Sequence, residues 1–279
     1  MKNKAAKYLI SLLPQKKISS LAGSAGRSRL SRWYIKHYAR QFNINLEEIE
    51  KPVHEYEHLT EFFTRKLKSG ARPINMERNA VVSPVDGVVS QIGKIQSGSL
   101  IQAKGITYTA ADLLGDTQAA ERYQNGRFVT IYLSPKDYHR IHMPLKGTVT
   151  DSTYIPGRLF PVNEIGVGHV SGLFTRNERV VTHASTPAGN MALVKVGAFI
   201  VGSVKVTYGE LERKWKQHVK QNFEPVTYEK GDEIGLFEFG STVILLFEEA
   251  RFEFESSITE GTSVVMGEKI GTIKEEQAH

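Results

Sequence analysis

The sequence contains no cysteine, so it offers no disulfide framework, no thiolate metal site and no thiol nucleophile. That absence leaves the redox compartment undetermined. No apolar run approaches the roughly 20 residues that span a bilayer. Acid is missing from the first 40 residues, which carry ten Lys or Arg and no Asp or Glu. The net charge is +6, yet the remainder of the chain holds 26 basic against 30 acidic residues. The basic character therefore belongs to an N-terminal arm and not to the body. Such an arm meets an anionic partner, either a lipid surface or nucleic acid. The body shows no recognisable nucleic-acid-binding module, which favours lipid. There is no internal repeat and no low-complexity tract. What remains is a chain of 279 residues, 40% hydrophobic and 24% charged, which is ordinary globular composition.

Lys2 to Leu13 reads as a short amphipathic helix ended by Pro14, with Ala6, Ile10 and Leu13 on one face and Lys2, Lys4 and Lys7 flanking it. It has the outline of a signal peptide, but the small-residue cleavage site is poorly placed. Ser19 to Ser28 is Gly/Ser-rich and is expected to bend or loop. A second helix carries Leu30, Trp33, Tyr34, Tyr38 and Phe42 near helical spacing, with Arg29, Arg32, Lys36 and Arg40 between them. Aromatic and basic residues mixed in this way suit a membrane interface; the bland alternative is a basic helix docked on the body. Leu59, Phe62, Phe63 and Leu67 mark a third helix. From about residue 80, short β-rich segments alternate with Gly, Pro, Asn and Asp turns, as at Val81–Val82, Val88–Val89, Phe128–Leu133, Val180–Thr182, Met191–Val196, Phe199–Val206 and Val243–Phe247. Thr109–Leu114 and Glu210–Lys216 read as short helices. The fold class is α+β: a helical, membrane-associating region over 1–75 and a mainly antiparallel β body over 76–279.

Four stretches could carry chemistry. In Phe239-Gly240-Ser241-Thr242, a glycine and a hydroxyl stand at the head of a buried apolar strand that runs to Phe247. Gly240 allows backbone geometry closed to other residues, and Ser241 places a hydroxyl beside the carbonyl of Gly240. Ser83-Pro84-Val85-Asp86-Gly87 is by itself a turn. Leu133 to Pro144 contains His139 and His142, with no matching acid or third His at metal-ligand spacing. Gly157 to Asn163 and Leu173 to Arg179 look like loops with a basic rim. Asp86, His142 and Ser241 together supply an acid, a base and a nucleophile. A serine hydrolase would present its serine on a Gly-x-Ser-x-Gly elbow. Here Ser241 opens a strand instead, and the nearest electrophile is the preceding carbonyl.

These segments, in this order, resemble the pyruvoyl-dependent phosphatidylserine decarboxylases, over nearly the whole β body. Phe239 stands where that family commonly has Leu. Pro161 stands where some relatives have a small polar residue, so it offers no side-chain hydrogen bond. The resemblance implies self-processing. His142, oriented by Asp86, deprotonates Ser241, whose oxygen attacks the Gly240 carbonyl. Elimination and hydrolysis leave a pyruvoyl group at position 241, a β chain of residues 1–240 and an α chain of residues 241–279. The pyruvoyl ketone forms a Schiff base with phosphatidylserine and accepts electrons as carbon dioxide leaves. His139 is the expected proton donor, and Phe160, Val162, Asn163 and Arg176 are the expected substrate contacts. The resemblance also implies a homodimer, peripheral or monotopic at the cytoplasmic face of the cell membrane, with no metal and no nucleic acid. Two rival readings are a hydrolase using Asp86, His142 and Ser241 as a triad, and a non-catalytic β module tethered to membrane.

Overall fold

The computed structural model describes residues 21, 23–103, 106–198, 204–212, 217–238, 241–249 and 251–274. An eight-stranded antiparallel sheet runs in the order Val219–Tyr228, Gly147–Ile155, Arg179–Thr186, Gly189–Gly197, Ser241–Phe247, Arg127–Leu133, Gly87–Lys94 and Ser263–Val264. The strand Ser241–Phe247 comes late in the chain and inserts between two earlier ones. Ser241 lies opposite Gly197 on one side and Leu133 on the other.

All seven residues of that strand are buried, and this is why its sequence is an unbroken apolar run and not an alternation. Val243, Leu245 and Phe247 enter one core with Val129, Ile131 and Leu193. Ile244 and Leu246 enter a second core with Phe128, Val194, Leu114 and Phe174. At about 1.5–3 kcal/mol for each buried side chain, these five contribute on the order of 10 kcal/mol. The glycine at the start of Gly87–Lys94 is required by close approach. A Cβ there would meet the Tyr132 carbonyl oxygen and come within 2.9 Å of Ile131 Cγ2.

The two-stranded pair Ser99–Ala103 with Ile106–Thr109 and two three-stranded sheets accompany the eight-stranded sheet. One joins Ala80–Val82, Lys269–Ile273 and Phe252–Phe254. The other joins Val204–Val206, Glu233–Phe237 and Arg140–His142. The second matters for function: it lays the histidine segment along the strand that ends just ahead of the Gly240–Ser241 step.

The expected strands are present, and Ala110–Leu114 is a helix capped by Thr109, whose hydroxyl accepts from the Asp112 amide at 3.0 Å. Three points differ. Residues 23–26 are helical where a loop was expected; the Arg27 amide donates to the Gly23 carbonyl, and the Arg27 side chain is anchored on Glu238. Residues 210–212 are not helical, and the rest of that expected helix lies outside the described residues, as do Lys2–Leu13, 199–203, Phe239 and Gly240. The helix Arg32–Gln41 buries Ile35, Tyr38 and Ala39, while Leu30 and Trp33 are 79% and 87% exposed.

The helical region has its own core of Ile35, Tyr38, Ala39, Ile44, Ile49, Tyr56, Phe62 and Phe63. It is also bound to the β body at several points. The Tyr38 hydroxyl donates to Pro135 O at 3.3 Å, and Arg140 Nε donates to Thr64 O at 3.0 Å.

Candidate active site

The segment after strand Arg127–Leu133 folds into a tight turn because Ser134 and Asp137 close on each other. The Ser134 amide and hydroxyl both donate to Asp137 Oδ2, at 2.6 and 2.8 Å. The chain then departs from regular strand geometry until Arg140–His142, and this departure frees His139 from the alternation of a strand.

His139 is fully buried, with its ring 4.0 Å from the Phe63 ring between centroids. Its Nδ1 lies 2.8 Å from Asp137 O. A carbonyl can only accept, so Nδ1 carries the proton and Nε2 holds the free lone pair. Burial pushes the pKa of His139 down to about 3, and the Arg65 guanidinium acts in the same direction. His139 Nε2 has no partner, and neither does Ser241 Oγ; both atoms are buried. Thr242 Oγ1, next to Ser241 in the strand, is likewise buried and without a partner.

His142 is held at both ring nitrogens. Nδ1 donates to Gly231 O at 2.7 Å, so in the neutral ring Nε2 accepts from the Tyr138 hydroxyl at 3.2 Å. Burial lowers its pKa, partly opposed by the Gly231 carbonyl and by the negative charges of Glu233 and Asp86. Asp86 thus lies within electrostatic reach of His142. Its carboxylate oxygens, however, accept from Arg72 Nε at 2.9 and 3.0 Å, Arg72 Nη2 at 2.6 Å and the Met266 amide at 2.8 Å. Arg72 comes from the helical region and also donates to Glu48 at 2.9 Å.

The expected substrate loop meets the head of strand Ser241–Phe247 through a residue whose part was not foreseen. Asn177 is fully buried. Its Oδ1 accepts from the Phe160 amide at 2.9 Å, and its Nδ2 donates to Phe160 O at 2.8 Å and to Gly197 O at 2.9 Å. Since Gly197 is the register partner of Ser241, Asn177 staples the Phe160 loop beside the serine. Phe160 and Val162 are buried. Arg176 is exposed and lies 4.9 Å from the Phe160 ring centroid. Asn163 is exposed and caps the helix Glu164–His169, its Oδ1 accepting from the Gly166 amide at 3.2 Å.

Glu238, also not foreseen, is buried just ahead of the Gly240–Ser241 step in the sequence and pairs with Arg27 at 3.1 Å and Lys205 at 3.0 Å. Among the described residues, no three His, Asp or Glu side chains gather as a metal-ligand set. No local sequence signal marks Asn177 or Arg72 as part of the site, because their partners are distant in the chain.

Residues 59–272 match the profile of the family described as phosphatidylserine decarboxylase. A phosphatidylserine decarboxylase proenzyme of Brevibacillus brevis is 49% identical over 272 residues, covering 95% of this chain and 97% of that protein. A proenzyme of the same description from Myxococcus xanthus is 44% identical over 273 residues, with the same coverage. Another from Acinetobacter baylyi is 41% identical over 266 residues, covering 94% of this chain and 93% of that protein.

Proposed function

The chain belongs to the phosphatidylserine decarboxylase family, and on that premise we propose that it is made as a proenzyme, cuts itself before Ser241 and then decarboxylates phosphatidylserine to phosphatidylethanolamine. The observation that carries this reading is Ser241 itself: a fully buried hydroxyl without a partner, on the residue that follows Gly240 in the chain and heads the strand.

In the first step a histidine takes the Oγ proton. The Oγ–carbon bond to Gly240 forms as the amide C–N bond breaks and the histidine returns its proton to the departing nitrogen, so the amide becomes an ester beside a free Ser241 amine. Loss of the Ser241 Hα then expels Gly240 as a carboxylate. Hydrolysis of the resulting dehydroalanine releases ammonia and leaves a ketone. That pyruvoyl group supplies an electrophile for the substrate amine and a sink for the electrons left as carbon dioxide departs. The residues present fit its formation, since Ser241 Oγ lies at the end of a strand held on both sides and shielded from water.

Asp86 and His142 are assigned to the self-cleavage, with Asp86 acting through its charge. His139 is assigned to protonation after decarboxylation, and Phe160, Val162, Asn163 and Arg176 to the substrate. Intact mass tests the core of this reading. Wild type should run as two chains, the smaller blocked at its first residue, and Ser241→Ala should stay a single inactive chain. A wild type that turns over phosphatidylserine while uncut would refute it.

One observation favours a second division of labour. His139 Nε2 and Ser241 Oγ are both buried and without a partner, whereas His142 Nε2 already accepts from Tyr138. In this reading His139 takes the serine proton. The variants separate the two. In the first, His142→Ala and Asp86→Ala block cleavage while His139→Ala matures but turns over poorly, by ~10²–10⁴-fold. In the second, His139→Ala stays uncut.

Membrane attachment is assigned to the outer face of the helical region. Leu30 and Trp33 stand out of the fold there beside exposed Arg29, Arg32 and Lys36. Each basic residue near an anionic surface adds roughly 1 kcal/mol, and the apolar side chains add insertion. Among the described residues no helix is long and apolar enough to cross a membrane. A peripheral site on the cytoplasmic leaflet and a homodimer complete the proposal.

A further inference from the structure

We propose that Arg65 is a positioning residue for His139, which makes the helical region a working part of the centre and not only an anchor. This rests on the reading that His139 gives the proton after decarboxylation, with self-cleavage left to His142.

Arg65 is almost wholly buried, 4% exposed. Its Nη2 donates to Lys136 O at 2.7 Å and to Asp137 O at 3.1 Å. The Asp137 carbonyl is the same acceptor that takes the Nδ1 proton of His139 at 2.8 Å. A single oxygen therefore links the guanidinium to the imidazole. The guanidinium sits 5.5 Å from the Phe62 ring centroid, and its Nε and Nη1 have no partner. Burying a cation in this state opposes folding, and an apolar side chain would avoid that opposition. What the arginine adds is its hold on the turn.

Two effects on His139 follow. The fixed Asp137 carbonyl holds the Nδ1 proton, so a proton that His139 takes up and delivers resides on Nε2. The facing positive charge disfavours the imidazolium and so makes it the readier donor once formed. The Asp137 carboxylate is turned back on Ser134. From the remaining sides the ring meets Phe63, and its backbone carbonyl accepts from the Phe237 amide at 2.9 Å.

The test uses the full chain in non-ionic mixed micelles with phosphatidylserine, comparing Arg65→Met, Arg65→Gln, Arg65→Lys and His139→Ala. Intact mass reports maturation, and kcat, KM and the pH dependence of kcat report the chemistry. Arg65→Met should mature but lose about 10- to 100-fold in kcat, with little change in KM. The limb of the kcat profile that vanishes in His139→Ala should move to higher pH, because a facing positive charge has gone. Arg65→Lys should recover part of kcat. Normal kcat and an unmoved limb in Arg65→Met, with His139→Ala inactive, would overturn the role of Arg65 and leave that of His139 standing. A His139→Ala protein as active as wild type would overturn both. Should Arg65→Met fail to fold, Arg65→Gln decides by the limb alone: it keeps a donor for the carbonyl and loses the charge, so a limb moved to higher pH supports the role and an unmoved limb overturns it.

Discussion

Asn177→Asp is close to isosteric, and the structure makes its effect calculable. The change keeps an acceptor for the Phe160 amide. It removes both hydrogen bonds that Nδ2 gives, to Phe160 O and Gly197 O, and sets a carboxylate oxygen against those two carbonyls. Each buried carbonyl that loses its donor costs ~1–3 kcal/mol. The total for the two is roughly 2–6 kcal/mol, a large share of the ~5–15 kcal/mol that holds a typical domain folded. The carboxylate can escape part of this by taking up a proton, so the loss should ease in acid. The measurement is urea unfolding of Ser241→Ala and of Ser241→Ala/Asn177→Asp, in which both chains stay uncut. A second measurement is the half-time of self-cleavage of Asn177→Asp with Ser241 intact. Because Gly197 is the partner of Ser241 in the sheet, displacement there should slow cleavage by about 10²-fold. Unfolding within ~1 kcal/mol of the parent, together with a normal half-time, would refute the staple.

Three further outcomes are expected. Burial lowers the pKa of His142, and a base must be neutral to act, so the pH profile of self-cleavage should be flat at neutrality and fall only below the ordinary histidine value of about 6.5; an acid limb at or above 6.5, followed by gel densitometry, would contradict His142 as the base. Leu30→Glu/Trp33→Glu should reduce sedimentation with anionic vesicles by about tenfold or more while leaving cleavage intact, and unchanged binding would remove that face from the membrane. Gly87→Ala forces a Cβ onto the Tyr132 carbonyl and should cost ~1–3 kcal/mol by thermal melting in the Ser241→Ala background; an unchanged melting temperature would show that the two strands separate freely.

The buried strand Ser241–Phe247 was legible because one stretch of β-branched and aromatic residues can satisfy two cores only as a central strand. The turn at Asp86 and the irregular path through His139 were legible from glycine and proline. Long-range pairing was not. Nothing near Arg72 in the sequence announces Asp86 as its partner, and nothing near Asn177 announces Gly197. The second helix was legible as a helix, but its orientation was not. Apolar Trp33 faces out while Ile35 and Ala39 face in, since the choice depends on a core assembled from Tyr56, Phe62 and Phe63 further along the chain. Deleting residues 1–40 would therefore remove Tyr38 from the Pro135 carbonyl and disturb the histidine turn, so substitution at Leu30 and Trp33 is the cleaner probe of membrane attachment.

The place of Ser241 in the sheet bears on how the protein can be made. Its strand is clasped by neighbours on both sides, and Lys269–Ile273 pairs with Ala80–Val82 and Phe252–Phe254. A cut before Ser241 would leave every one of these pairings in place, so the small chain would stay seated. The reverse journey differs. An uncut chain finds its central strand as a first-order event, since that strand is tethered. Once severed, the same strand would have to be recaptured from solution, at a rate set by concentration, and in competition with its own aggregation as a bare apolar segment. The peptide bond at the cleavage step thus acts as a template used once. The mature enzyme would owe its persistence to slow unfolding, and denatured mature protein should refold far less well than denatured Ser241→Ala.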